Sequence, residues 1–365
     1  MKIGITLNLS NNFWANGLNQ NGIFLYEVIE KMGYKPFHIT QQLPSHNLNF
    51  NHRAFLLKDL MLDDQETLDM VLMVGYELPV DCIAKLKSRN KNTKFIFIEL
   101  GNSLFTQMAR LVSPPDQDDA IFNDFTLNQH IDAVWTSPHY ECNKPYLSTL
   151  FNTDNVHTCN YLWSPFFLQD KIKELKRKNL DPLFNSSSYN VNVFEPNLTV
   201  SKCSLVPFMA AQKFNYLFPE KPLQLNLFNS TKIRNSKYLQ SWFNKFPITQ
   251  DKKCFFNNRW STLDALSKFG GVILSHNHKN ALNYSHFEAL YMGTPLIHNS
   301  EALIDYGYYY PEFDIKMAAM QLYSAFENHE STFMKDRSFA REFLAQFDIS
   351  NKSNINAYQK LIDET

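Results

Sequence analysis

The stretch GVILSHNHKNALNYSHFEALYMGTPLIHNS, residues 271–300, decides the fold. Val272-Ile273-Leu274 is a short run with no polar residue, the pattern of a strand buried on both faces. A polar loop follows from Ser275 to Asn283. Tyr284 to Met292 then carries helical spacing, and Gly293 closes it in the way glycine closes helices. Gly293-Thr294-Pro295 turns the chain into a second apolar run, Leu296-Ile297-His298. Strand, helix and strand in this order form a crossover unit, and crossover units build parallel sheets. Ligands of such sheets gather beyond the carboxyl ends of the strands, here over His276 to Ser285.

Working outward, the same alternation fills the chain. Toward the N-terminus of this unit, strands are expected at 189–194, 223–228 and 253–256, with helices over 200–217, 237–246 and 261–269. In the first half, strands are expected at 2–9, 35–40, 70–74, 94–99 and 131–136, with helices over 20–32, 80–88 and 139–151. Three helices at about 314–328, 331–347 and 353–363 end the chain. The 365 residues are enough for two domains. The expected fold class is α/β, as two Rossmann-like doubly wound domains facing across a cleft. Residues 1–165 form the first domain and 189–345 the second. The charged, then Ser-rich stretch 166–188 reads as a linker region, and 346–365 as a C-terminal helix able to pack back on the N-terminal domain.

Composition narrows the function. Charged residues make up 19% and net charge is −1, so no global basic field attracts nucleic acid. The basic runs at 85–94 and 171–178 read as solvated helix faces. The five cysteines, at 82, 142, 159, 203 and 254, have no metal-site spacing and read as small buried hydrophobes. No metal site, membrane span or signal peptide is expected, and the protein reads as cytoplasmic. The 31 Phe, 17 Tyr and scarce Gly, with frequent Asn and Lys, fit an AT-rich coding genome of a low-GC bacterium or a phage.

Four strand-to-helix junctions could carry chemistry. The first, with Asn16 and Gly17, is an amide-rich loop suited to sugar hydroxyls or phosphate oxygens. It has no Gly-x-Gly-x-x-Gly, which disfavours a dinucleotide cofactor. The second ends a buried strand on Glu99, a carboxylate placed to act as a general base. The third, Glu195 to Lys202, contains Asn197 and sets Ser201 and Lys202 at a helix start, where amides and an ammonium favour a diphosphate. The fourth holds His276, with Asn283, Tyr284 and Ser285 at the helix N-terminus. Glu288 follows on the face of Tyr284, spaced to accept ribose hydroxyls.

Glu288-Ala289-Leu290-x-x-Gly293-Thr294-Pro295-Leu296-Ile297 resembles the nucleotide-sugar helix of GT-B glycosyltransferases, in which a Glu at this position holds the donor ribose. Many retaining members carry a second Glu eight residues earlier, where this chain has Asn280. Nearly the full length also resembles an uncharacterised bacterial and phage family of glycosyltransferase-like proteins. That resemblance runs through Trp14-Ala15-Asn16-Gly17, Phe194-Glu195-Pro196-Asn197, Leu296-Ile297-His298-Asn299-Ser300 and Tyr306-Gly307-Tyr308-Tyr309-Tyr310-Pro311-Glu312-Phe313-Asp314. The strand end Phe97-Ile98-Glu99 is similar to the base-bearing strand of phage DNA β-glucosyltransferases, which modify 5-hydroxymethylcytosine.

These resemblances imply a glycosyltransferase with a UDP-sugar as co-substrate and neither cofactor nor metal. The implied acceptor is 5-hydroxymethylcytosine in duplex DNA, with glucose or arabinose transferred. Glu99 would be the base. Asn16, Gly17, Asn197, Ser201, Lys202, His276, Asn283, Tyr284, Ser285 and Glu288 would be the donor site. A glycan or small-molecule acceptor, and a non-catalytic nucleotide-sugar-binding protein, stand as alternatives.

Overall fold

The computed structural model describes residues 1–9, 17–43, 51–112, 130–180 and 188–365. The chain divides into two compact units, 1–164 with 346–365, and 165–345.

In the first unit the strands are β1 (Lys2–Thr6), β2 (Lys35–Thr40), β3 (Ala54–Leu56), β4 (Met70–Met73), β5 (Lys94–Glu99), β6 (Ala133–Thr136) and β7 (Val156–Thr158). Among the described residues they form one sheet in the order β3-β2-β1-β4-β5-β6-β7, every pair parallel. The order reverses between β1 and β4. Met70 to Met73 and Ala133 to Thr136 are buried throughout, as strands covered on both faces must be.

The second unit contains β8 (Asn190–Val193), β9 (Gln224–Leu227), β10 (Cys254–Phe256), β11 (Val272–Leu274), β12 (Leu296–His298) and β13 (Tyr308–Tyr309). Their order is β10-β9-β8-β11-β12-β13, again parallel, with the reversal between β8 and β11. Its core packs Val191, Val193, Leu225, Leu227, Val272 and Leu274 against Phe208 and Phe214 of helix Leu205–Leu217. Apolar burial at about 25 cal/mol per Å² is the main force holding such a core together. Both units are doubly wound α/β, as the alternation of runs predicts.

Several expectations are corrected. Residues 166–177 are a helix, not linker. Phe167, Leu168 and Leu175 are buried, and Lys171 pairs with Asp264 at 3.1 Å, so the helix belongs to the second unit. The residues 181–187 of the expected linker lie outside those described. The helices expected at 314–328 and 331–347 are one, Ile315–Leu344, capped by Asp314, whose carboxylate accepts from Met317 N. Residues 346–365 belong to the first unit. Tyr358 donates to the Asn160 carbonyl at 2.7 Å, and Asn160 Nδ2 to Asn354 Oδ1 at 2.9 Å. Of the cysteines Cys159 is buried, whereas Cys142 is exposed.

The Gly270-Gly271 pair sets the approach of β11 to β8. Gly271 has φ +82°, and a Cβ there would overlap the Asn190 carbonyl group. Asn192 Nδ2 donates to Gly270 O at 2.8 Å across the same junction. Gly271→Ala is therefore expected to destabilise the second unit on the order of 3 kcal/mol, read from its urea unfolding transition.

Candidate functional site

The reversal of the second sheet pulls the loops after β8 and β11 apart and leaves a crest between the two strand ends. Glu195 stands there, 3% exposed, two residues past β8. Its Oε1 accepts from Ser275 Oγ at 2.5 Å and from His276 N at 3.2 Å, both just past β11. Burial raises the Glu195 pKa, while Ser275, Lys202 and His276 N–H oppose the rise. Burial lowers Lys202, with Glu195 opposing.

A second link joins the same two loops. Lys202 forms an antiparallel bridge with Asn277, and His278 N donates to Ser201 O at 2.8 Å. Asn277 is held from β12 as well: its N–H donates to Asn299 Oδ1 at 2.8 Å, and Asn299 Nδ2 returns to Asn277 O at 2.9 Å. Ser201, Lys202 and His276 are thus brought together. Helix Tyr284–Met292 starts beside them, with Asn283 as N-cap accepting from Ser285 N at 3.3 Å. Tyr284 is buried, Ser285 and Glu288 half-buried. Asn283 O also accepts from His286 N at 3.0 Å and Phe287 N at 3.2 Å, so what this helix end presents to an anion is the positive end of its dipole.

Three buried polar atoms at this crest have no partner among the described residues: Ser201 Oγ, His276 Nε2 and His286 Nδ1. Ser201 and His276 are only 5% and 3% exposed, and His286 is fully buried. Buried polar groups left unmatched cost free energy, and at the carboxyl ends of the strands a ligand's polar atoms would match them.

The hydrogen bonds fix what His276 can do. Tyr310 gives its single proton to Ser275 O at 3.0 Å, so His276 Nδ1, 3.0 Å from the same hydroxyl, must donate to it. Burial lowers the His276 pKa to about 4, which keeps the ring neutral at pH 7. Nε2 is then a bare lone pair, and it fits a hydroxyl or N–H of a ligand. His286 Nε2 lies 2.8 Å from Ser275 Oγ, and burial holds that ring neutral too.

Other predicted residues sit differently. Lys202 is not in the first turn of a helix, because the helix begins at Leu205 and 199–202 form a bridged turn ahead of it. Asn197 has φ +56°, accepts from Ser204 N at 2.8 Å and donates to Glu195 O at 3.0 Å, so its amide builds the loop rather than facing a donor. Gly17 is the exposed first residue of helix Gly17–Lys31, and Asn16 lies outside the described residues. Among the described residues no group of three His, Cys, Asp or Glu is placed to hold a metal, and no helix is long and apolar enough to cross a membrane.

Glu99 is also corrected. It is 1% exposed, and both oxygens already accept: Oε1 from Ser103 N at 3.0 Å, Ser103 Oγ and Asn143 Nδ2 at 2.9 Å, and Oε2 from Thr136 Oγ1 at 2.5 Å. It ties β5 to its register partner Thr136 on β6 and anchors helix Ser103–Val112. A base needs an oxygen open to the acceptor, and this carboxylate is enclosed by its own donors.

Sequence reasoning missed Glu195 as a site residue, and with it Ser275, His286 and Tyr310. A carboxylate two residues past the alternating strand Asn190–Val193 was the available signal. Ser275 and Tyr310 gave none, because their roles depend on which strands become neighbours.

The architecture is that of the GT-B glycosyltransferases, two doubly wound parallel-sheet domains in one chain. The chain belongs to the family described as protein of unknown function (DUF2827), whose model matches residues 3–362. No curated protein matches the sequence. Among solved structures, the chain is similar to an alpha-glucosyltransferase in complex with UDP and a 13-mer DNA containing an HMU base. That likeness has a TM-score of 0.61 at 12% identity and covers 100% of this chain and 98% of that one. It is similar to WaaG, a glycosyltransferase involved in lipopolysaccharide biosynthesis, with a TM-score of 0.59 at 11% identity over 99% and 98% of the two chains. The DNA-modifying enzyme beta-glucosyltransferase gives a TM-score of 0.52 at 12% identity over 100% of both. At these identities the likeness is one of fold.

Two predictions follow from the geometry. Glu99→Ala leaves four buried donors unmatched and is expected to destabilise the first unit by about 3 kcal/mol or more, seen in chemical unfolding. His298 donates from Nε2 to Tyr306 O at 2.7 Å and accepts at Nδ1 from Ser300 N at 3.1 Å, so only the neutral ring fits. Burial lowers its pKa to about 4, below the unfolded value of 6.5. The unfolded state therefore binds the extra proton first, and stability present above pH 6.5 is lost as pH falls toward 4. Replacing His298 with Gln should remove about one proton from the pH dependence of unfolding in that window.

Proposed function

We propose that the protein transfers a sugar from a UDP-sugar to an acceptor hydroxyl, with 5-hydroxymethylcytosine in duplex DNA as the favoured acceptor and glucose or arabinose as the sugar. The observation that carries the donor half is the group of unmatched buried atoms at the reversal of the second sheet, Ser201 Oγ, His276 Nε2 and His286 Nδ1, beside Lys202. A diphosphate supplies acceptor oxygens for Ser201 Oγ and the Lys202 ammonium, at the positive end of the dipole of helix Tyr284–Met292. Sugar or ribose hydroxyls supply the donor that neutral His276 Nε2 lacks. Glu288, one turn into the helix, accepts from the ribose. Charge growing on the departing UDP is offset by Lys202 and the helix dipole, with no metal in the scheme.

The acceptor half rests on likeness to the glucosyltransferase that was solved with UDP and modified DNA, and to the DNA-modifying beta-glucosyltransferase. The likeness to WaaG favours a second reading, in which the acceptor is a cell-surface glycan.

The test incubates the purified chain with UDP-glucose or UDP-arabinose and a duplex containing 5-hydroxymethylcytosine, with unmodified duplex alongside, and weighs the DNA by mass spectrometry. A sugar mass on the modified duplex alone is expected. Donor binding without transfer to this DNA, followed by transfer to a lipopolysaccharide core, would move the acceptor to a glycan; binding with no transfer at all would leave a nucleotide-sugar-binding protein. Ser201→Ala and His276→Phe should each weaken UDP-glucose binding about tenfold, one unmatched hydrogen bond's worth, in calorimetric titration.

A further inference from the structure

The turn past β13 sends two aromatic side chains opposite ways. Tyr310 is fully buried, its N–H donating to His298 O at 2.9 Å and its hydroxyl to Ser275 O at 3.0 Å. Phe313, further along the same turn, is 55% exposed. The chain that carries it is pinned. Asp314 N donates to Pro311 O at 3.0 Å, and Ile315 N to Phe313 O at 2.8 Å. Asp314 Oδ1 then caps helix Ile315–Leu344 by accepting from Met317 N at 2.8 Å. Glu312 holds φ +41°, a left-handed backbone that a residue with a Cβ adopts only at a cost. The turn thus accepts strain and keeps a large apolar ring half in water at a fixed place.

That place is the crest of the second unit. The Phe313 ring lies beside the His276 imidazole, with centroids 4.9 Å apart and planes at 41°, and beside that of His278 at 5.7 Å and 38°. His276 N donates to Glu195, and His278 N to Ser201 O, so the ring borders the donor site without leaving this unit. Charge differs between the two sides of the site. Lys202 follows β8, whereas Phe313 follows β13 between two exposed acidic residues, Glu312 and Asp314. A diphosphate belongs with the ammonium; carboxylates repel it and accept from hydroxyls instead. A pyranose matches the Phe313 side. Its C–H groups form an apolar face for an aromatic ring, whose own face carries partial negative charge, and its hydroxyls stand around the rim. Uracil, with two carbonyl oxygens and a single N–H, fits an acidic rim poorly.

We propose that Phe313 is a stacking platform for the sugar of the UDP-sugar, and so a residue that sets which donor is held. The assignment rests on the donor site set out above. The sugar lays a C–H face on the ring while the diphosphate stays at Ser201 and Lys202. The imidazoles of His276 and His278 hold the ring from beside, so the platform is in place before the donor arrives.

The experiment titrates UDP and UDP-glucose separately into the wild-type chain, Phe313→Leu and Phe313→Tyr by calorimetry, with melting temperatures alongside. Leu keeps apolar bulk against the two imidazoles and removes the flat face; Tyr keeps the face. Phe313→Leu should bind UDP-glucose about fivefold more weakly and UDP as tightly as the wild type, and Phe313→Tyr should bind both like the wild type. Melting temperatures should stay the same, since the ring is half exposed. An equal loss for UDP and UDP-glucose in the Leu variant overturns the assignment, because the ring then serves the nucleotide. Unchanged binding of both overturns it too, because the ring then only covers His276 and His278. If the wild-type chain binds neither ligand, the donor site itself fails and the assignment falls with it, an outcome distinct from a chain that binds UDP and ignores the change at Phe313.

Discussion

The contact of Glu195 with Ser275 and His276 is the constraint on which the second unit's site depends. β8 and β11 lie side by side, but their onward connections leave in opposite directions across the sheet. The carboxylate ties the two loops at the crest, taking one donor from a side chain and one from the backbone of the opposite strand end, and the Lys202–Asn277 bridge ties them again further out. From there the order spreads outward: Ser275 meets His286, Asn277 meets Asn299, and His276 meets Tyr310 on the far side of β12. Each contact is worth about 1 kcal/mol net, and together they set several side chains in one arrangement before any ligand arrives.

That arrangement favours recognition over packing. A loop built only for stability would match its polar atoms within itself, as Asn197 does with Ser204 and Glu195. At the crest the matching stops at Ser201, His276 and His286.

Much of the fold was legible because strands covered on both faces write themselves as apolar runs. β2, β5 and helix Tyr284–Met292 fall where the sequence places them, to the residue. The misses have local causes. β3 is an edge strand of only three residues, too short to stand out, and its middle residue Phe55 is exposed. Helix Phe166–Arg177 turns its charges outward over three buried anchors, which reads as linker when the anchors are not paired with their partners. The site was legible at the level of loops. Ser201, Lys202 and His276 do meet, but Glu99 could not be told from a base, because its donors Thr136 and Asn143 lie 37 and 44 residues away in sequence.

Binding of uridine diphosphate at the crest of the second unit is what the proposed function requires. A structure of the protein grown with millimolar UDP tests it most directly. The account predicts the diphosphate against Ser201, Lys202 and the first turn of helix Tyr284–Met292, with a nucleotide hydroxyl or N–H facing His276 Nε2 and Glu288 at the ribose. Nucleotide bound at another place, or a crest that stays free of it at saturating UDP, would contradict the account.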